Sequence, residues 1–204
     1  MSTRAIVVVS GTDRFSSDIG IVRLYKHSDG YPTEVLADIV RATETAESYL
    51  LDNPWLRVHR MDRLCPSLAD FPPKGFAAQL MAAANGWDGS AYRFDDQHND
   101  VDAQTQGPLR FDHYGNHGDI EWIYHLSVNK CVITIWGGDY GDSEMHFAAG
   151  PVDPITYANC LREECQEDER MKISLAMEQL HDYGWAMKRP GKLRRKRTKK
   201  AIPH

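Results

Sequence analysis

Residues 20–32 read G-I-V-R-L-Y-K-H-S-D-G-Y-P, and their pattern sets the fold class. Val22 and Leu24 alternate with Arg23, Tyr25 and His27, the period of a strand with one apolar face. Asp29-Gly30 then supplies turn chemistry and Pro32 closes the ladder and opens the next element. The strand therefore delivers Tyr25, His27, Asp29 and Tyr31 to one edge of the fold. Asp29 is expected to bond the turn backbone, Gly30 to take a conformation closed to other residues, and Tyr31 to cover the helix that follows.

Upstream, Ala5 to Ser10 is a β-branched apolar run that fits a central strand, joined to the first by the polar turn Gly11–Ser17. Downstream, Thr33 is the expected N-cap, and Val35, Ile39, Ala42, Ala46 and Tyr49 recur at helical spacing as far as Asn53-Pro54. Residues 54–74 read as an irregular connection, 75–85 as a second helix, and 88–118 as a long polar loop or insertion. Asp119 to Val128 alternates most cleanly: Ile120, Trp122, Tyr124, Leu126 and Val128 face one way, Asp119, Glu121, His125 and Ser127 the other. Asn129-Lys130 is expected to turn it directly into Cys131–Trp136, with Asn taking the positive φ, and Glu144–Ala148 to add a strand to an antiparallel meander. Asp153-Pro154 opens helix that runs to Tyr183 and stops at Gly184, as one piece or two with a break near Gln166–Arg170. Leu161, Cys165, Ile173, Ala176, Met177 and Leu180 are its expected buried side, and Trp185 and Met187 anchor its end. The expectation is a single α+β domain over 1–187, an antiparallel sheet covered on one face by helices, followed by a flexible basic tail over 188–204.

The start Met1-Ser2-Thr3-Arg4 with Y-x-H-x-D-G-Y-P resembles a family of small phage and bacterial proteins that begin M-S/G-T-R. Members often carry a later strand H-G-D-x-E-Y-x-Y, present here as His117-Gly118-Asp119-Ile120-Glu121-Trp122-Ile123-Tyr124, with Trp122 in place of a tyrosine. The resemblance covers residues 1–50 and 113–137 and implies a phage-type lineage.

Charge separates the chain into two parts. Of the 24 Lys and Arg, nine lie between Lys188 and Lys200, which leaves the body 15 against all 29 Asp and Glu. The tail residues Lys188, Arg189, Lys192, Arg194, Arg195, Lys196, Arg197, Lys199 and Lys200 suit a phosphate backbone. An acidic body repels nucleic acid but suits a basic groove on another protein, with Glu163, Glu164, Glu167, Asp168 and Glu169 as the partner-binding cluster.

Three readings follow. The leading one is a phage accessory protein that inhibits or modulates a host protein complex, nucleic-acid-handling or defence machinery in an anti-CRISPR-like manner, through an acidic surface. The second is a metal-dependent hydrolase or nuclease in which His27, Asp29, His117, Asp119 and Glu121 converge, with His113 and His125 near in sequence. No standard spacing such as H-E-x-x-H appears, so no metal or cofactor is assigned. The third is nucleic-acid binding through the tail. Ser10-Gly11 and Ser143 lack a nucleophile-elbow context, and Asp96-x-His98-x-Asp100-x-Asp102 lacks the Gly and distal Glu of a calcium loop. The four cysteines form no C-x-x-C pair and read as reduced thiols. With no apolar run near eighteen residues and no signal peptide, the expected setting is the cytoplasm, the host cell's for a phage-encoded protein, with no membrane partner.

Overall fold

A computed structural model describes residues 3–12, 19–26, 29–53, 71–84, 92–94, 120–137, 151–159 and 161–188. In chain order the elements are β1 (Arg4–Thr12), β2 (Ile19–Lys26), α1 (Pro32–Asp52), α2 (Pro73–Ala84), β3 (Tyr92–Phe94), β4 (Ile120–Ser127), β5 (Val132–Gly137), α3 (Ile155–Asn159), α4 (Glu163–Asp182) and β6 (Ala186–Met187). The strands form one sheet in the order β3-β2-β1-β4-β5-β6. This is the α+β class, with helices on one face.

The sheet is mixed where the sequence pattern predicts an antiparallel one. Its hairpins β1–β2 and β4–β5 and the β2–β3 pair are antiparallel, but β1 and β4 run parallel, with Val7 opposite Tyr124 and Val9 opposite Leu126, and so do β5 and β6. A parallel neighbour requires a crossover, and the chain between β1 and β4 makes it through α1 and α2. β3 lies inside the stretch read as a polar loop, because three residues are too few to show a period. The predicted strand over 144–148 lies outside the described residues.

Alternation divides the sheet cleanly. Val7 and Val9 of β1, Val22 and Leu24 of β2, Trp122, Tyr124 and Leu126 of β4 and Ile133 and Ile135 of β5 join the helices in one core. On the other face Ile6, Val8 and Ile123 form a smaller cluster with Ile21, Tyr25 and Trp136 packed on it.

Local chemistry departs from the sequence expectation at three junctions. Tyr31, extended at φ −66° and ψ 152°, precedes α1 with Pro32 in the first turn, so Thr33 lies inside the helix and its hydroxyl is free to donate to Glu169 of α4. After β4 a 3-10 turn over Val128–Lys130 intervenes, and Cys131 takes the positive φ of 49°. Asn129 is engaged elsewhere, its carboxamide oxygen accepting the Thr12 N–H at the end of β1. The C-terminal helix divides before Arg162, which is extended at φ −61° and ψ 143°, well upstream of Gln166. Glu163 and Glu164 then occupy the first turn of α4, where carboxylates meet the positive end of the helix dipole.

Candidate partner-binding surface

α4 is the outermost helix. Only Ile173, Ala176 and Leu180 are buried, one apolar residue per turn on the side toward α1 and the core. Trp185 locks its C-terminal end: the indole is 2 % exposed, packs against Phe76 at 5.6 Å, and donates from Nε1 to Thr43 Oγ1 of α1 at 3.1 Å. Contacts of Thr33 with Glu169 near one end and Glu44 with Tyr183 near the other show that α1 and α4 run side by side in the same direction.

The five acidic residues expected to meet a partner fall into two groups. Glu163, Glu164, Glu167 and Asp168 are exposed. Glu169 is half-buried and committed inside the protein, accepting hydrogen bonds from Thr33 and from Lys172 Nζ at 3.4 Å. Asp168 pairs with the same Lys172 at 2.6 Å, and those two contacts raise the lysine's pKa. Among the described residues Glu163, Glu164, Glu167 and Glu178 have no cationic partner.

Helical spacing adds residues that counting charges misses. At 100° per residue Glu164, Glu167, Met171, Leu175 and Glu178 fall within one stripe, opposite the buried side. Met171 and Leu175 are 64 % and 56 % exposed, an apolar pair one turn apart with carboxylates at both ends. Cys165, expected inside, is exposed as well. Leu175 also helps wall an open groove of about 460 Å³ between the two helices, apolar at Ala37, Val40 and Ala176, with Glu34, Arg41 and Glu44 on its α1 side and Lys172 on its α4 side. Together α1 and α4 carry twelve Asp and Glu against three Lys and Arg. All three cations are engaged: Arg41 with Asp38, Lys172 with Asp168 and Glu169, and Arg170 Nε with Asn159 Oδ1 at 2.9 Å.

The described parts of the two H/D motifs are linked at one end of the sheet. The Gly30 N–H donates to the Thr3 carbonyl at 2.9 Å, and the buried Tyr124 hydroxyl donates to the Gly30 carbonyl at 2.9 Å. It is Asp29, at φ 54°, that takes the left-handed conformation. Gly30 is required for close approach, since a Cβ there would lie 2.8 Å from both the Ala5 methyl and the Arg4 backbone. Asp29 is exposed, whereas burial raises the pKa of Glu121 and a hydrogen bond from Thr3 partly offsets it. Tyr31 stacks on Tyr157 at 5.4 Å and Trp122 meets the same ring edge-on at 5.6 Å. Burial first, then the nearby Glu169, Tyr31, Glu121 and Glu34, pushes the Tyr157 phenol far up, so it stays protonated. His27, His117 and Asp119 lie outside the described residues, and among those described no group of three side chains is arranged to hold a metal ion. Of the basic tail only Lys188 is described; it is exposed, and its N–H donates to the Ile133 carbonyl at 2.8 Å.

Two polar pairs went unpredicted. Ser10 Oγ and His125 Nε2 are hydrogen-bonded at 2.6 Å across β1 and β4, on the sheet face away from the helices. Burial, followed by the charges of Lys188 and Lys130, lowers the His125 pKa and keeps the ring neutral. A hydroxyl against a neutral imidazole is two-thirds of a nucleophilic triad, but among the described residues no carboxylate bonds the other ring nitrogen, and the pair acts as a cross-strand tie. The second is Lys26 Nζ with Asp38 Oδ2, 2.5 Å apart and 4 % and 2 % exposed. Alternation alone could have found it, since Lys26 shares the core-facing side of Val22 and Leu24.

Comparison with protein-family profiles, curated proteins and solved structures finds no match to this chain.

Proposed function

We propose that this chain is a binding protein that inhibits or modulates a host protein complex handling nucleic acid, host defence machinery included, by presenting the acidic outer helix α4 to a basic surface. The observation that carries the reading is the unbalanced charge of the outer layer: twelve carboxylates against three cations, each cation already engaged, with Glu163, Glu164, Glu167 and Glu178 unpaired among the described residues. Uncompensated surface charge does little for folding, whereas it steers encounter with an oppositely charged groove and disfavours wrong partners. The phage-type resemblance of the first motif adds the host setting. The test is recovery of binding partners from host lysate, with and without nuclease treatment, by the intact chain, by a chain ending at residue 187, and by Glu163→Gln/Glu164→Gln/Glu167→Gln. A stoichiometric protein complex retained without the tail and lost with the charge variant supports the proposal. Nucleic acid recovered only with the tail present would replace it with tail-mediated binding.

A second reading has one observation in its favour. Gly30 and Glu121 both bond Thr3, which links the described parts of the two motifs, and a metal-dependent hydrolase built on His27, Asp29, His117, Asp119 and Glu121 would need its donors to converge there. Calorimetric titration with Zn²⁺ and Mn²⁺, repeated on Asp29→Asn/Glu121→Gln, tests it: saturable binding lost in the variant supports a metal site, and no heat with either ion rejects it.

A further inference from the structure

We propose that Met171 and Leu175, with the adjoining wall of the α1–α4 groove, seat an apolar residue of a basic amphipathic helix from a partner protein; this rests on the acidic-surface reading above and specifies what that surface takes. The two side chains are the only large apolar groups on α4 described as exposed, and they stand one turn apart at the centre of a stripe that is otherwise acidic. A soluble helix gains nothing from that placement in isolation, because apolar area left in water forfeits its transfer free energy. An apolar centre within a polar rim is the anatomy of a contact surface.

The geometry selects a helix. α1 and α4 lie parallel, and the groove between them is lined from Thr33 to Glu44 on one side, about three turns, and from Lys172 to Gln179 on the other, about two. A third helix packs along such a groove with residues at i, i+3 or i+4 and i+7 toward it. Charge selects the rest. Glu164 and Glu178 lie fourteen residues apart on the stripe, about 21 Å along the axis, one on each side of the apolar pair. The complementary segment thus carries one apolar stripe with Lys or Arg flanking it at both ends. A second copy of this chain meeting it through the same face would bring carboxylates against carboxylates, and a phosphate backbone would meet the same repulsion.

The test uses the full chain and three synthetic probes of about 18 residues: a Lys/Arg-rich helix with leucines on one stripe, a scramble of the same composition with no stripe, and an arginine homopolymer, at roughly 0.05 and 0.3 M salt. The striped peptide is expected to bind at least about tenfold tighter than the scramble, since a central apolar anchor carries more of an interface's energy than its charged rim. Met171→Ser/Leu175→Ser should abolish that ratio while leaving scramble affinity unchanged, and the striped peptide alone should retain binding at the higher salt. Equal affinity for stripe and scramble, both weakened by Glu164→Gln/Glu167→Gln/Glu178→Gln, would overturn the helix seat and leave the acidic surface standing. No binding of any probe at the lower salt would overturn both.

Discussion

α1 and α4 are almost the same length, 21 and 20 residues, and touch along their sides, yet eleven side chains of α1 are buried and three of α4. The difference lies in what each helix faces. α1 is enclosed between the sheet, α2 and α4, so its apolar stripe widens until even Asp38 and Thr43 are inside and must find partners. α4 has one neighbour layer, and three anchors with Trp185 beyond its end hold it in place. The fold thus buries about half of one helix and leaves most of the other free, and seven of the freed positions are acidic.

Asp38→Ala should test the constrained side most severely. Removing it takes away the carboxylate 2.5 Å from the Lys26 ammonium, itself 4 % exposed, at an expected cost of about 3–5 kcal/mol in urea unfolding. The double change Lys26→Met/Asp38→Leu should recover most of that loss, because an apolar pair of similar volume needs no compensation for desolvation. A loss under about 1 kcal/mol for the single variant would show that water reaches the pair and that α1 is less enclosed than its burial indicates.

Amide exchange should sharpen the same contrast without mutation. The central amides of α4 are expected to exchange through openings less costly than global unfolding, while those of Val35 to Ala46 exchange only on global unfolding. Equal protection in the two helices would mean that three anchors and Trp185 bind α4 as firmly as α1, and the comparison would fail.

The sheet face away from both helices supplies a control. The folded state lowers the pKa of His125, so the unfolded chain holds the proton more tightly; the stability linked to this group is complete above its ordinary 6.5 and is lost as pH falls through that value toward the lowered one. His125→Gln should flatten the fall in stability between about pH 7 and 5. An unchanged slope would assign the pH dependence to the carboxylates of the helical layer.

Much of the constrained half was legible in the sequence, and the free half was not. The alternation in β2 and β4 and the four-three spacing of α1 each report a single buried face, so Val22, Leu24, Trp122, Tyr124, Ile39 and Ala46 could be placed without coordinates. The parallel pairing of β1 with β4 could not, because each strand's period says which face is buried and nothing about its neighbour. The residues of α4 were misjudged for a different reason. Apolar residues on a helix are expected inside by default, which placed Cys165 there and passed over Met171 and Leu175, although their position within the acidic stripe was visible from the 100° period. Of the proposed catalytic set, only Asp29 and Glu121 are described, and β1 lies between the strands that carry their motifs, so what links them is Thr3, bonded to the Gly30 N–H and to Glu121.

The smallest expected effect bears most directly on function. Met171→Ser and Leu175→Ser should each change stability by no more than about 0.5 kcal/mol, since neither side chain fills core volume and serine's low helix propensity is the main cost. Leu180→Ala, five residues along the same helix but fully buried, should cost about 2–5 kcal/mol by vacating packed space. The comparison within one helix removes differences of helix context that complicate the contrast with α1. If the two serine variants destabilise as much as the buried one, Met171 and Leu175 are covered in solution by other parts of the chain, and their apolar character serves folding. If they are neutral, folding does not account for an apolar pair in an acidic stripe, and the explanation must be sought in what α4 contacts outside its own chain.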